Sequence, residues 1–190
     1  MLAVKPVYLV ALAVVILFVI YAKFSNPYRE YSTAEFWENA TLASVAQIPV
    51  EALKPGNKNG PVIMWAAIGA SNTELIKALI DRGSDVNESD GIFKGTPLTG
   101  AAGYSRYPEI IDELIKQGAD INKKVHNEET ALIIAARYNE NPGIAKTLVK
   151  HGAKVNDKNK QGKTALDLAK RNNNTTVIRE LGSLKELDNM

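Results

Sequence analysis

Cysteine is absent from this chain of 190 residues, and His126 and His151 are its only histidines. The lack of cysteine excludes disulfides, thiolate metal sites, a cysteine nucleophile and a lipid-modified cysteine. Two histidines are too few for a histidine-rich metal site or a proton relay. We therefore expect neither a metal nor a cofactor.

An excess of one charge is also missing, since 23 Lys and Arg residues stand against 21 Asp and Glu residues. The formal net charge of +2 is too small for a protein whose affinity rests on neutralising phosphates, so we expect no nucleic-acid partner. The length allows one domain with a single core and, in addition, a short targeting segment.

The longest uncharged run lies at the amino terminus, from Pro6 to Ala22. If the Lys5 ammonium group reaches outward, residues 1–22 give roughly 20 helical residues at about 1.5 Å each, enough for a hydrocarbon core of about 30 Å. We interpret residues 1–23 as a transmembrane anchor. A cleaved signal peptide is the alternative, although Ile20 occupies a position where the cleavage site requires a small residue.

The orientation of this segment is predicted from its short leader. Lys5 and the amino group on one side nearly balance Lys23 and Arg29 on the other, so the positive-inside bias decides little. A very short leader before a first apolar segment usually stays in the cytoplasm. We predict a single-pass protein of a bacterial inner membrane with its remaining residues in the periplasm. A soluble periplasmic or secreted chain is the alternative if the segment is cleaved.

Internal repeats occupy the rest of the chain. The segments GSDVN at 83–87, GADIN at 118–122 and GAKVN at 152–156 recur at spacings of 35 and 34 residues. A second series, spaced by 34, is TPLTGAAG from Thr96, TALIIAAR from Thr130 and TALDLAKR from Thr164, with PVIMWAAIG at 61–69 one repeat earlier. These series predict four units, at about 57–89, 90–123, 124–157 and 158–182.

The motifs resemble the ankyrin repeat family, whose unit is a β-turn finger followed by two antiparallel helices. The family opens its unit with a TPLH-like motif and closes it with a GADVN-like motif, and the resemblance covers residues 57 to about 182. It implies an all-α ankyrin repeat solenoid behind the amino-terminal transmembrane helix. At the place of the TPLH histidine, the four units carry Met64, Thr99, Ile133 and Asp167.

Each unit also contains residues that begin and end its helices. Gly83, Gly118 and Gly152 are expected to end second helices, because glycine accepts the left-handed conformation of a helix stop. We expect the Asn four residues later to bond its own loop backbone. Pro108 and Pro142 are expected to begin second helices. Paired alanines then allow first helices to lie close together, and Leu and Ile pairs fill the layer between units.

The segments outside the repeats are assigned to a linker, a cap and a tail. Residues 24–32 are polar and form the linker, and residues 183–190 form the carboxyl-terminal tail. Residues 33–56 are predicted to be an amino-terminal capping region with a helix from Thr33 to Ile48, because a stack of repeats exposes apolar surface at its ends. We expect the protein to be a monomer.

No set of nucleophile, base and oxyanion donor can be assembled, so the sequence predicts no enzyme and no small-molecule substrate. The segment QGKT at 161–164 ends like a phosphate-binding loop, but Asp157 stands where that loop requires a glycine, which favours a finger turn. A hydrolase using carboxylates such as Asp120 and Glu128 remains a remote alternative, since no paired-carboxylate geometry can be argued.

The resemblance implies a concave side, formed by first helices and fingers, where the family usually binds protein partners. Aromatic residues and Arg carry most binding hot spots. The predicted partner-binding residues are Trp65, Ile68, Phe93, Tyr104, Ile134, Arg137 and Tyr138. Packing between units is the alternative role for Trp65 and Ile134.

The predicted function is noncovalent protein binding. One version is an inhibitor or immunity protein that occludes a toxic secreted effector in the periplasm. The other is a scaffold or accessory factor for a resident periplasmic enzyme. A neighbouring gene for a secreted lipase or nuclease would favour the first version, and a neighbouring oxidoreductase gene the second.

Overall fold

The computed structural model describes residues 31–54, 61–90, 94–172, 174–175, 177–179 and 181–182. All of them belong to one compact unit, Tyr31–Met190. Within these residues, no helix is long and apolar enough to cross a membrane. The predicted anchor at residues 1–23, the linker up to residue 30 and the tail at residues 183–190 lie outside the described residues.

The described residues are helical, with no strand among them. Their α-helices in chain order are α1 Ala34–Glu38, α2 Leu42–Gln47, α3 Val62–Gly69, α4 Thr73–Asp81, α5 Pro97–Tyr104, α6 Pro108–Lys116, α7 Ala131–Tyr138, α8 Pro142–Lys150 and α9 Ala165–Arg171. Short 3-10 turns occupy Val50–Leu53 and His126–Glu128. The predicted all-α fold is therefore confirmed for this part of the chain.

The threonine that opens each of the last three units begins a first helix. Thr96 accepts a hydrogen bond from the Thr99 backbone N–H, and its own N–H donates to the Thr99 hydroxyl. Thr164 and Asp167 form the same reciprocal pair at α9. Two of the residues that replace the TPLH histidine therefore complete helix caps.

The predicted ends and starts of the second helices are confirmed. Gly83, Gly118 and Gly152 follow α4, α6 and α8 with φ values of 99°, 92° and 92°. This left-handed conformation costs glycine little, because glycine lacks a Cβ. Pro108 and Pro142 are the first residues of α6 and α8, where no intrahelical N–H donor is needed.

The core lies between layers of equivalent helices. First helices α3, α5, α7 and α9 pack in succession, and second helices α4, α6 and α8 pack in a parallel row. The alanine pairs of α3 and α5 are fully buried between first helices, and Leu79, Leu114 and Leu148 are fully buried between second helices. Burying a leucine side chain is worth about 1.5 to 3 kcal/mol, so the interfaces between repeats carry much of the stability.

Two of the three closing asparagines connect successive repeats, and for these two the expectation that they bond their own loops is wrong. The Asn87 side chain donates to Gly118 O at 2.9 Å and accepts from Asp120 N at 2.9 Å. Asn122 makes the same pair of bonds to Gly152 O and Lys154 N. The asparagine side chain reaches the next loop because the repeats are stacked at close distance, whereas a preceding aspartate bonds the local backbone.

The amino-terminal segment forms two helices, so the predicted helix from Thr33 to Ile48 is wrong. Thr33 begins α1 as expected, but Thr41 begins α2 through a reciprocal cap with Ser44. The Thr41 hydroxyl offers the backbone an alternative partner, which favours a new helix start over continuation. Trp37 in α1 is fully buried, and its Nε1–H donates to Tyr31 O at 2.9 Å.

These two helices pack on the first repeat in the manner of another repeat. Helix α1 contacts α3, and α2 contacts α4. Gly69 has no Cβ, and the position of a Cβ there would lie 2.9 Å from Ala34 Cα. On the α2 side, the Arg82 guanidinium donates to Ile48 O at 2.6 Å and to Val45 O. The segment thereby covers the apolar side of α3 and α4 that faces away from the second repeat.

Candidate protein-binding surface

Two tyrosines at equivalent helix ends form the largest exposed aromatic feature of the described residues. Tyr104 ends α5 and Tyr138 ends α7, and their side chains are 61% and 51% exposed. The repeat spacing places them on neighbouring units. Their ring centroids lie 6.0 Å apart with an angle of 24° between the planes, so the rings stack. Stacked tyrosines present large faces at a low cost in side-chain entropy.

Arg137 and a buried carboxylate support the second ring. The Arg137 guanidinium carbon lies 5.6 Å from the centre of the Tyr138 ring, a cation–π distance. The same guanidinium forms an ion pair with Glu129, whose side chain is almost completely buried. Arg137 is held by Glu129, so the Tyr138 ring is contacted by a fixed guanidinium group as well as by the Tyr104 ring.

A buried asparagine ties the backbone beneath these rings. The Asn139 Nδ2 group donates to Ala102 O at 3.1 Å and to Ser105 O at 2.9 Å, which joins the third unit to the second. Its Oδ1 atom accepts from Asn141 N at 2.9 Å. Asn174 repeats the arrangement one unit later by donating to Asn139 O at 2.9 Å. The edge at the ends of the first helices is therefore rigid before any partner arrives.

A cleft of about 450 Å³ lies along this edge. The tyrosines form its aromatic part, and exposed Arg106 and Glu140 supply charges of both signs beside it. The cleft is lined by Gly103, Tyr104, Ser105, Arg106, Tyr138, Asn139, Glu140 and Asn141. An aromatic centre with a polar rim is the composition typical of protein interfaces. We call Tyr104, Tyr138, Arg137, Arg106 and Glu140 the tyrosine edge.

The other predicted binding residues occupy different environments. Ile68 and Ile134 are half-buried and pack on α5. A Cβ atom at Gly100 would lie 3.3 Å from Ile68 Cδ1, and a Cβ atom at Gly103 would lie 3.1 Å from Ile134 Cγ2. Trp65 is half-buried on α3. Phe93 lies outside the described residues. The structure thus brings together Tyr104, Arg137 and Tyr138. A binding role for all seven residues stays a prediction.

Sequence reasoning missed the residues of the short turns that complete the tyrosine edge. Arg106 and Glu140 occupy equivalent turns between first and second helices, each two residues after an exposed tyrosine. Tyr107 is 37% exposed and lines an adjoining cleft of about 320 Å³ that reaches α1. The repeat register would have identified these turns, because they follow directly on the tyrosines at helix ends.

The loop that resembles a phosphate-binding segment is a finger turn. The Asn159 Oδ1 atom accepts hydrogen bonds from Gln161 N and Lys163 N, both at 3.0 Å. Gly162 has a φ of 72° and donates to Asn159 O at 2.8 Å. The backbone amides that a phosphate would require are therefore engaged within the turn.

The carboxylates considered for hydrolysis have separate structural contacts. Asp120 accepts from Asn122 N at 3.1 Å, and Glu128 lies 3.8 Å from the Lys124 ammonium group. On the second helices, Asp112 bridges two repeats by bonding Lys116 and His151, with 2.7 Å to His151 Nε2. The hydrogen bond from Lys116, followed by that from His151, holds the pKa of the Asp112 carboxyl below its ordinary value.

The fold and its exposed edge define a helical repeat protein of the kind that binds partners along its stack. The family profile described as "Ankyrin repeats (3 copies)" matches residues 42–125 and 98–188, which together span more than half of the chain. The chain therefore belongs to the ankyrin repeat family. Its repeats indicate protein–protein interaction, and ankyrin domains are typically binding modules without catalysis. A search of the curated proteins found no match.

Proposed function

We propose that this protein binds another protein through the tyrosine edge, on the periplasmic side of a bacterial inner membrane, and that binding inhibits a toxic secreted effector. The observation that carries the binding proposal is the stacked, exposed pair of Tyr104 and Tyr138. The location rests on the apolar run from Pro6 to Ala22 and its short leader. Residues 1–23 would keep the inhibitor at the membrane that the effector must approach.

Stability alone does not explain why both tyrosine rings stand outside the core. Each ring could bury far more apolar surface if it pointed between the helices, as Ile134 does one turn earlier on α7. Exposed stacking recovers only part of that free energy, about 0.5 to 1.5 kcal/mol for an aromatic pair. A partner that covers both rings would recover the remainder as binding free energy.

The rigidity of the edge supports inhibition by occlusion. Asn139 ties the backbone of two units, and the pair of Glu129 and Arg137 fixes the Tyr138 ring. A preformed surface loses little conformational entropy on binding, so more of the contact energy appears as affinity. Tight, long-lived occlusion is what an inhibitor of a toxic enzyme requires.

The test is calorimetric titration of a partner found by pull-down with the full chain. Tyr104→Ala and Tyr138→Ala should each weaken binding by about 2 kcal/mol or more, roughly thirtyfold, because each removes an aromatic anchor. The melting midpoint should stay nearly unchanged, since both side chains are exposed. Inhibition of the partner's activity should weaken in parallel with affinity.

Asp81→Ala on α4 is the matched control, because Asp81 is exposed at the last residue of a second helix, at the opposite end from the turns of the tyrosine edge. Its affinity should equal that of the parent chain. Parent-like affinity in both tyrosine variants would refute the tyrosine edge as the binding surface. A bound partner whose activity is unaffected would leave the surface in place but overturn the inhibitor role.

A further inference from the structure

A strip of exposed lysines runs from the third unit into the finger of the fourth, separate from the tyrosine edge. Five lysines lie between residues 146 and 160, with Asp157 as the only acidic residue among them. All five are exposed, and within the described part of the chain none of them forms an ion pair. We call these residues the lysine strip: Lys146, Lys150, Lys154, Lys158 and Lys160.

The equivalent segments of the first two units are not basic. Residues 77–91 contain four acidic and two basic residues, and residues 112–126 contain three of each. Lys77 and Lys116 on the corresponding helices are paired with Glu74 and Asp112, at 2.8 Å in the first case. Helix α8 has no carboxylate at all. The strip is therefore confined to the third unit and the finger that follows it, and it does not come from the repeat pattern.

One lysine of the strip replaces a residue with a structural task. Asp85 and Asp120 accept hydrogen bonds from Asn87 N and Asn122 N at 2.8 and 3.1 Å. Lys154 occupies the same place in the third unit, and an ammonium group cannot accept such a bond. At this position the chain therefore lacks a local stabilising hydrogen bond and carries one of the lysines of the strip.

The backbone that carries the strip is fixed. Lys146 and Lys150 are one turn apart on α8, about 6 Å along the helix. The Lys154 N–H donates to Asn122 Oδ1 at 3.0 Å, and the Lys160 N–H donates to Asn127 O at 2.8 Å. The backbone that carries the lysines is therefore held at a second helix, at the closing loop and at a finger.

We propose that the lysine strip is a second docking surface and that its occupant is an acidic segment of a protein. The surroundings favour this occupant over other polyanions. Residues 144–163 contain no Phe, Trp, Tyr or Arg, whereas single-stranded nucleic acid is held by aromatic and Arg side chains that stack on bases. A helix that lies in a lipid surface carries Trp, Phe or Leu on an apolar face beside its lysines, whereas Leu148 on α8 is fully buried in the core.

The test uses the full chain in neutral detergent with poly-L-glutamate as the probe, followed by fluorescence anisotropy. Lys154→Asp should weaken binding roughly tenfold, because it removes one positive charge and adds a negative one inside the strip. The same variant should keep or raise the melting midpoint, since it restores the acceptor that Asp85 and Asp120 provide. Weaker binding together with an equal or higher melting midpoint would show that Lys154 acts in docking and not in folding.

Lys54→Asp is the matched control, because Lys54 is exposed in the amino-terminal segment and the charge change is identical. It should bind poly-L-glutamate within about twofold of the parent at moderate salt, where distant charges are screened. The double variant Tyr104→Ala/Tyr138→Ala should also bind the probe like the parent, so failure of the tyrosine edge would not affect this result.

Two outcomes would overturn the proposal. One is equal loss of poly-L-glutamate binding in Lys54→Asp and Lys154→Asp, which would assign the binding to net charge alone. The other is clear preference of the parent chain for micelles containing an anionic phospholipid, or for a single-stranded oligonucleotide of equal charge. Either preference would assign the strip to a membrane or to nucleic acid in place of a protein.

Discussion

At the scale of single residues, neighbours decide what a side chain does as much as residue type does. Ile134 and Tyr138 lie one turn apart on α7, yet Ile134 packs against Gly103 while Tyr138 is half-exposed and stacks on Tyr104. The sequence placed both on the first-helix side. For Ile134 the sequence left packing and partner binding both open, because the space for its side chain exists only where a glycine of the preceding unit faces it.

Asn139 provides the clearest residue-scale prediction. Asn139→Ala should lower the free energy of unfolding by about 1 to 3 kcal/mol, because buried carbonyl groups of Ala102 and Ser105 lose their donor. Urea denaturation measures the change. Asn172→Ala is the matched control, since Asn172 is exposed and bonds only Arg137 O. If Asn139→Ala lowers the free energy of unfolding no more than Asn172→Ala does, the structural role of Asn139 is refuted.

The carboxylate of Asp167 makes one helix cap sensitive to acid. Hydrogen bonds from the Thr164 backbone N–H and, secondarily, its hydroxyl lower the pKa of Asp167. A lowered folded-state pKa means that the stabilisation is present above the unfolded-state value of about 3.9 and is lost as the pH falls through the folded value. The stability difference between the parent and Asp167→Asn should therefore shrink between about pH 6 and about pH 3. An equal difference at both pH values, measured by urea denaturation, would contradict this account.

At the scale of elements, local signals predicted the helix boundaries and failed where the partner lies in another unit. Gly83 and Pro108 act through their own backbone, so their positions alone indicated a helix end and a helix start. Asn87 bonds the loop of the next unit, and no local pattern specifies that distance. The break between α1 and α2 was missed because apolar residues on both sides of Thr41 continue a helical spacing.

Gly69 tests how closely α1 and α3 must approach. Gly69→Ala places a methyl group against the Ala34 backbone and should lower the free energy of unfolding by about 1 to 3 kcal/mol through overpacking. Ser71→Ala, at an exposed position just after α3, should leave stability nearly unchanged. Thermal unfolding followed by circular dichroism distinguishes the two. Equal melting midpoints in both variants would show that α1 does not pack as described.

Leu114 tests the interface between second helices. It is fully buried in α6, so Leu114→Ala should lower the free energy of unfolding by about 2 to 5 kcal/mol through loss of buried surface and a residual cavity. Its effect on partner affinity should be small under conditions where the variant is folded. This pattern is opposite to that expected for the tyrosine variants. A normal melting midpoint in Leu114→Ala would contradict the packing of α6 against its neighbours.

At the scale of the whole molecule, stability is the sum of interfaces between neighbouring units. The amino-terminal helices add one further interface at the start of the stack, through Trp37 and the Arg82 contacts. The repeat period predicted this architecture because each unit repeats the same core residues. The nearly neutral total charge concealed the lysine strip, since acidic residues elsewhere compensate for it.

Residues 33–190 should fold alone as a helical monomer, because the described contacts that hold the stack lie within this range, apart from those of Tyr31 with α1. Circular dichroism and sedimentation of that fragment provide the check. Deleting residues 33–56 should expose the covered side of α3 and α4 and cause aggregation. A strand-dominated spectrum from the longer fragment, or a soluble and equally stable shorter one, would contradict this account of the stack and its cap.

Photocrosslinking in cells tests most directly the central claim that the tyrosine edge binds a protein. A benzophenone amino acid would replace Tyr138 in one full-length chain and Asp81, at the far end of second helix α4, in another. We predict one discrete crosslinked protein from position 138, its yield sharply reduced when Tyr104 is also changed to Ala, and none from position 81. Crosslinking from position 81 with none from position 138 would contradict the claim.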